Sequence, residues 1–312
     1  MSQHKTPRVA VVGSNMVDLV TYVHRMPIRG ETVEAPSFEM GHGGKGANQA
    51  VAAAKLGAEV VMVTKVGDDM FADNTIRNLA SFGVDVRHVE RVAGRSSGVA
   101  PIMVEPSGEN SILIVKGANA DLSPDDVERA AEHLKTCDII LLQLEIPLET
   151  VYAAIAFGQK HGVKTLLNPA PAAPELDPER IRHASFLVPN ETELAILTGL
   201  PVGTEDEIAA AARSLVAKGI GTVIVTMGAR GAMLVTHDAT RIISSVRVDP
   251  VDTTGAGDAF VGAFARYHAA GESLEQALEY AVRYAADSVT RRGTQKAYAT
   301  EAEFEAFRAS VG

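Results

Sequence analysis

The chain has no tryptophan, a single cysteine and only 5% aromatic residues among its 312. No apolar run reaches membrane-spanning length. The one thiol, Cys137, excludes an intrachain disulfide and any site built on several thiolates; its place before IILL reads as a packed strand entrance. Cations are scarce too. With 29 Lys and Arg against 39 Asp and Glu, the net charge is -10. That argues against nonspecific nucleic-acid binding, because displacing the counterions of a phosphate backbone takes a concentrated basic surface. An anionic nucleotide would have to be met by locally arranged backbone donors or by a bound cation. No Walker A sequence, G-x-x-x-x-G-K-[ST], occurs, and the nine histidines show no metal-ligand spacing. The basic start MSQHKTPR is followed only by VAVV before Gly13 and Asp18, too short for a secretory core. The expectation is a cytoplasmic protein with no membrane partner.

What is present is ordinary globular material, 46% hydrophobic and 22% charged. Short β-branched runs at 9–12, 59–64, 138–143, 163–168, 185–189 and 222–226 read as parallel strands. Helices are expected near 46–56, 69–81, 123–135, 149–160 and 204–218, with glycine at several exits (Gly57, Gly162, Gly219). After residue 256 the pattern is almost wholly helical, with segments at about 256–270, 272–290 and from 301. The alternation predicts an α/β protein, a sandwiched and mostly parallel sheet, as one catalytic domain over 1–312. Two stretches break the rhythm, roughly 16–42 and 96–117. The second reads as a hairpin about Pro106-Ser107-Gly108, and together they predict a small β flap over the sheet.

The stretch GHGGKGANQ at 41–49 contains a formal G-x-G-x-x-G at Gly41, Gly43 and Gly46, with Asp68 at a suitable distance for a ribose-binding acid. An NAD-dependent oxidoreductase is therefore one reading. In that fold the glycines follow the first core strand directly, whereas here about thirty irregular residues intervene. GGKGAN offers instead a bare backbone at Gly43 and Gly44, a cation at Lys45 and an amide at Asn48, a set suited to a polyhydroxylated ligand. A tight loop into a helix is the plainer alternative.

VDTTGAGDAFVGAFARYH at 251–268 is more specific. Gly255, Ala256 and Gly257 can turn their amides toward one point as a helix begins, an anion nest on a helix N-terminus. Asp258 falls in the first turn, where the macrodipole favours a carboxylate. A base beside an anion hole suits phosphoryl transfer. Asn190-Glu191-Thr192-Glu193 reads equally as a helix cap and as a magnesium- and nucleotide-phosphate-facing pair. TVIVTMGARG at 222–231 and QLE at 143–145 each end a strand where an open α/β sheet binds ligands, and a plain turn is the alternative for both.

Taken together, GGKGANQAVAAAKLG, NETE, TMGARG and DTTGAGDAF resemble the ribokinase (PfkB-type sugar kinase) family over essentially the whole chain. The resemblance implies a three-layer α/β/α core, a small β lid that forms a homodimer contact, and transfer of the ATP γ-phosphoryl to a sugar hydroxyl with Mg2+ and K+. By matching position it implies that a pentose meets residue 16, Asp18, Gly44, Lys45, Asn48 and Glu145, with Asp258 as general base. ATP would meet Asn190, Thr226, Gly228, Gly231 and the Gly255-Ala256-Gly257 amides, with an adenine wall at Val282. Glu193 would help organise magnesium. Asp252, Thr254, Ser288, Arg291, Gly293 and Ala297 would form the potassium loop, largely through carbonyls. Ala297 stands where ribokinases often have serine.

One departure bears on substrate. Ribokinases typically place an asparagine two residues before the sugar-binding aspartate, and GSNMVD puts Met16 there. A thioether cannot donate a hydrogen bond, so a sugar hydroxyl at that point would be left largely unpaired, costing on the order of 1–3 kcal/mol. GSNMVDL followed by GGKGANQ is similar to the deoxyribokinase branch of the family, which acts on 2-deoxy-D-ribose at the 5-hydroxyl. Ribose, with Met16 merely packing against the lid, is the alternative. A sugar- or nucleotide-binding protein without turnover is disfavoured by the intact base and anion nest.

Overall fold

The computed structural model describes residues 6–107 and 109–311, so the basic start at 1–5 and Gly108 of the expected turn lie outside the described residues. The chain opens with β1 (Arg8–Val12), β2 (Met16–Tyr22), β3 (Ser37–Gly43), α1 (Lys45–Lys55), β4 (Glu59–Val66), α2 (Met70–Ser81), β5 (Asp85–Arg91), β6 (Val99–Val104) and β7 (Asn110–Ile112). The middle supplies α3 (Pro124–Arg129), α4 (Ala131–Leu134), β8 (Ile139–Leu142), α5 (Leu148–His161), β9 (Lys164–Leu167), α6 (Pro178–Ile181), β10 (Phe186–Leu187), α7 (Glu191–Thr198), α8 (Glu205–Ala217) and β11 (Thr222–Thr226). Then follow β12 (Ala232–Val235), β13 (Thr240–Ile243), α9 (Ala256–Ala269), α10 (Leu274–Ser288) and α11 (Glu301–Ser310).

Among the described residues the strands form a nine-stranded sheet, ordered β13-β12-β11-β10-β9-β8-β1-β4-β5, and a four-stranded sheet, ordered β3-β2-β6-β7. From β11 to β5 every pairing in the large sheet is parallel; β12 and β13 extend it antiparallel. The expected parallel strands are all present. Three further strands, β5, β12 and β13, were not expected. DVRHVER in β5 alternates charges along a partly exposed edge, while β12 and β13 are four residues each, too short for a clear period. The single helix expected over 123–135 breaks at Ala130 into α3 and α4.

The period of two along a strand sends alternate residues to opposite layers. In β1, Val9 and Val11 pack with Ala50, Phe260, Phe264 and Ala281 of α1, α9 and α10, while Ala10 and Val12 pack with Val151, Ile155, Ile208 and Leu215 of α5 and α8. The result is three layers with the large sheet in the middle. Cys137 is buried just before β8, and burial pushes its thiol up to about 11.

The small sheet grows from the carboxyl end of the large one. β1 passes through Gly13-Ser14-Asn15 straight into β2, and β3 runs through Gly44 straight into α1. Asn119 pins the first of these crossings: its Nδ2 donates to Asn15 O (2.7 Å) and Lys116 O (2.9 Å), and its Oδ1 accepts from Asn15 N (3.0 Å). Gly41 and Gly43 therefore end a strand of the small sheet, antiparallel to β2, Gly44 and Gly46 lead into α1, and none follows the first strand of a βαβ unit. This removes the dinucleotide-binding reading, in which that connection places the pyrophosphate.

Helices α1 and α9 approach so closely that Gly262 has no room for a side chain. A Cβ there would stand 2.6 Å from Ala52 Cβ and 2.7 Å from Gln49 O. We predict that Gly262→Ala forces α1 and α9 apart, costing about 1–3 kcal/mol in a urea titration and lowering kcat by displacing Asn48 and Gln49. A variant of unchanged stability and activity would show that the contact yields freely.

Candidate active site

Asp258 lies in the first turn of α9, beyond the glycine turn at Gly255 (φ 78°). The turn is held from below: Tyr298 Oη donates to Gly255 O (3.0 Å), and the Asp252 carboxylate accepts from Thr254 N and Gly293 N (2.9 Å each). The Ala256 amide turns back toward Thr253 O at 3.3 Å, so the three amides expected to converge are not all unspent. Gly257 is different. A Cβ built on it would meet nothing within 4 Å among the described residues, so packing does not demand glycine there and its backbone is left bare.

The Asp258 side chain is buried, 6% exposed, and each oxygen is held by α1: Asn48 Nδ2 donates to Oδ2 (2.9 Å) and Gln49 Nε2 to Oδ1 (3.0 Å). Beside it, Glu145 leaves the carboxyl end of β8 and accepts from Lys45 N (2.9 Å) and from the buried Ser14 hydroxyl. Asp18 projects from β2 opposite Gly41, next to Gly43. A Cβ at Gly43 would overlap the Asp18 carboxylate, so glycine is what leaves that carboxylate its place.

Four carboxylates and one ammonium share this space. Burial pushes Asp18 up to about 6, with Glu145 and Asp258 adding to the rise. Burial raises Glu145 as well, against the Ser14 and Lys45 hydrogen bonds. It raises Glu193 too, against the Asn190 amide and the charge of Lys45. For Lys45 burial acts in the opposite sense, but Asp258, Glu145 and Glu193 outweigh it and hold the ammonium above its usual range. The excess of negative charge around a single lysine is ready to accept hydroxyl protons and to gain from a cation.

On the far side, Asn190 and Thr226 meet as a bridge between the ends of β10 and β11, and Met227 N donates to Gly231 O (2.8 Å) across the turn through Gly228. A Cβ at Gly228 would also meet nothing within 4 Å. Asn190 and Glu193 form a reciprocal cap, with Glu193 N donating to Asn190 Oδ1 (2.8 Å) and Asn190 N to Glu193 Oε2 (2.9 Å). Val282 is buried in the core between α9 and α10 and the sheet.

Of the expected potassium loop, Asp252, Thr254 and Gly293 are joined directly. Ser288 Oγ turns back to Ala285 O (2.8 Å), and the Ala297 carbonyl accepts from Arg291 Nε (2.8 Å), whose guanidinium also pairs with Asp287. Sequence reasoning missed Ser14, Gln49, Gln143, Asn168 and Gln295, all buried and all in this network. For Gln49 a signal existed, a second amide beside Asn48 in an α1 that between Lys45 and Lys55 is otherwise glycine, alanine and valine.

A carboxylate at a helix N-terminus, with a bare glycine backbone beside it and a small sheet standing over the carboxyl end of a parallel sheet, suits phosphoryl transfer to a hydroxyl. A model of the pfkB family of carbohydrate kinases matches residues 6–301, and the chain belongs to that family. It is 59% identical to a deoxyribokinase of Salmonella typhi over 96% of this chain and 98% of that one. It is 43% identical to a ribokinase of Bacillus subtilis (strain 168), over 95% and 98%. The structure of Arabidopsis thaliana ribokinase complexed with ribose and ATP superposes with a TM-score of 0.92 at 31% identity, covering 97% of this chain and 99% of that one.

Asp18 carries a stability consequence. Its carboxyl binds a proton more tightly folded than unfolded, so ionised Asp18 destabilises the fold above pH about 6, and the penalty vanishes once both states are protonated. Asp18→Asn should therefore raise the unfolding free energy at neutral pH by on the order of 1–3 kcal/mol, with no gain near pH 3, while weakening sugar binding. Thermal melts across pH check this; a variant no more stable at neutral pH would contradict it.

Proposed function

We propose that the chain phosphorylates 2-deoxy-D-ribose at its 5-hydroxyl, yielding the 5-phosphate and ADP. The observation that carries the choice of sugar is at the start of β2. Met16 lies two residues before Asp18 and so shares its face, and it is buried. The neighbouring amide cannot replace the missing donor: Asn15 Nδ2 is turned away, donating to Thr64 Oγ1 and Lys65 O (2.8 Å each). A sugar with no hydroxyl at that point leaves nothing unpaired. The high likeness to a deoxyribokinase supports the same reading.

In this reading Asp18 accepts from the ring hydroxyls, with Gly44, Lys45, Asn48 and Glu145 completing the sugar site. Asp258 takes the proton of the 5-hydroxyl as its oxygen attacks the γ-phosphorus; the bond to the bridging oxygen breaks and ADP leaves with that electron pair. The Gly255–Gly257 backbone, where its amides are unspent, would face the developing charge together with the magnesium ion. The strand ends at Asn190, Thr226, Gly228 and Gly231 seat the nucleotide, with Val282 beneath the adenine. Asn190 and Glu193 suit a hydrated Mg2+, which keeps most of its waters and takes few protein ligands; bound, it neutralises phosphate charge. Asp252, Thr254 and Gly293 are the core of a potassium loop, to which Ser288, Arg291 and Ala297 would add carbonyls. The small sheet serves as a lid that excludes water. On its face opposite Asp18, Phe38 and Met40 are 59% and 46% exposed, which supports a homodimer through the lid. No helix among the described residues is long and apolar enough to cross a membrane, and we place the enzyme in the cytoplasm.

A coupled ADP-release assay across deoxyribose, ribose, fructose and nucleosides tests the reading, with deoxyribose expected to give the highest kcat/KM. Met16→Asn should move the deoxyribose-to-ribose ratio toward ribose by about 10-fold; an unchanged ratio would reject Met16 as the determinant. Asp258→Asn should lower kcat by about 10²–10⁴-fold while sugar binding survives. A variant retaining most of its turnover would remove Asp258 as base.

A further inference from the structure

Two amides donate to Asp258, and neither is free to turn over. An Asn or Gln side chain presents either its NH2 or its oxygen, and its neighbours decide which. Gln49 Nε2 donates to Asp258 Oδ1 (3.0 Å) and to Asn168 Oδ1 (3.2 Å), while Gln49 Oε1 accepts from Gln143 Nε2 (2.6 Å). Asn168 Nδ2 in turn donates to Val188 O (2.9 Å). On the other oxygen, Asn48 Oδ1 accepts from Gln295 Nε2 (3.0 Å), whose Oε1 accepts from Asn78 Nδ2 (2.7 Å). Gln49, Asn48 and Gln295 thus each have their orientation fixed by the next amide along, and both chains end with an N–H on the carboxylate.

Gln143 is the informative member. It is fully buried at the carboxyl end of β8, and its Oε1 has no hydrogen-bond partner among the described residues. That oxygen lies where a Cβ of Gly13 would be, so the Gly13 backbone makes room for it. A buried acceptor left unpaired is normally selected against. What the arrangement secures is the Nε2 side of Gln143, which faces Gln49 Oε1 and denies Gln49 its flipped form.

We infer that Gln49 is a positioning residue for the phosphoryl-transfer base and that Gln143 acts through it, fixing the plane of the Asp258 carboxylate so that a lone pair faces the sugar 5-hydroxyl. The inference rests on Asp258 being the base. Neutral amides suit the task because they orient a carboxylate without the counter-charge that would weaken it as a proton acceptor.

The test compares Gln49→Met, Gln143→Met, the double variant and Asp258→Asn with the parent enzyme, using deoxyribose and MgATP. Read-outs are kcat, sugar KM, the pH profile of kcat/KM and the melting temperature. The charged or titratable groups facing Asp258 are Lys45, Asp18, Glu145, Glu193 and Tyr298, and none is altered. Gln49→Met should lower kcat about 10-fold with KM nearly unchanged and move the acid limb of the profile to higher pH, as expected when a donor to the ionised carboxylate is lost. Gln143→Met should move both in the same direction by less, and the double variant should match Gln49→Met alone. The proposal is overturned by a parental kcat and acid limb in Gln49→Met, or by losses that add in the double variant and follow melting temperature with the limb unmoved. If Gln49→Met does not fold, Gln143→Met decides alone, since it leaves both donors to Asp258 in place. An active Asp258→Asn would instead strike the underlying assignment of the base.

Discussion

The site depends on one contact, the meeting of α1 with the first turn of α9, where Asn48 and Gln49 close on Asp258. These segments lie some two hundred residues apart, and what brings them together is the absence of side chains. Gly262 lets the two helices touch. Gly46 lets α1 settle on the Ser14 backbone, where Ala47 N donates to Ser14 O (2.8 Å). The same descent places Lys45 N and the Ser14 hydroxyl on Glu145. One backbone approach therefore sets the positions of Asp258, Glu145 and Lys45 together.

The electrostatics follow from that geometry. Carboxylates drawn from β2, the end of β8 and α9 share one lysine, and burial raises Asp18 and Glu145 above their ordinary range. A fold optimised only for stability would pair or remove such groups. Keeping them is affordable because the layers beneath are densely apolar on both faces of the sheet. A polyol suits the cluster, since each of its hydroxyls can donate to a carboxylate.

Much of the architecture was legible because it is local. Runs such as IILL and TVIVT are buried on both faces and carry no competing helical period, so they read as inner strands. The DTTGAGDAF turn was legible for the same reason, since a helix start is encoded within a few residues. β5, β12 and β13 were not, because an edge strand needs only one apolar face and four residues carry little pattern. The amide relay was least legible: Gln143 and Gln295 are unremarkable in their own segments and gain a role only when Gln49 and Asn48 arrive from α1. The carboxyl of Glu193 presents the reverse case, where the local cap was plain but its electrostatic link to Lys45 was not.

The glycines of the three signature stretches act for opposite reasons, and this separates scaffold from an open surface. At Gly44 and Gly46 a Cβ would strike the backbone of Asn15 or Ser14, so these residues form the joint between the small sheet and α1. At Gly43 it would strike the Asp18 carboxylate. At Gly257 and Gly228 it would strike nothing. For Gly228 the left-handed backbone (φ 56°) accounts for the choice of glycine, but Gly257 lies within a regular helical turn and has no such reason. An unobstructed glycine there lowers helix propensity without relieving a contact among the described residues, which suits a surface that something outside the chain approaches closely beside Asp258. A phosphoryl group at the N-terminus of α9 meets that description.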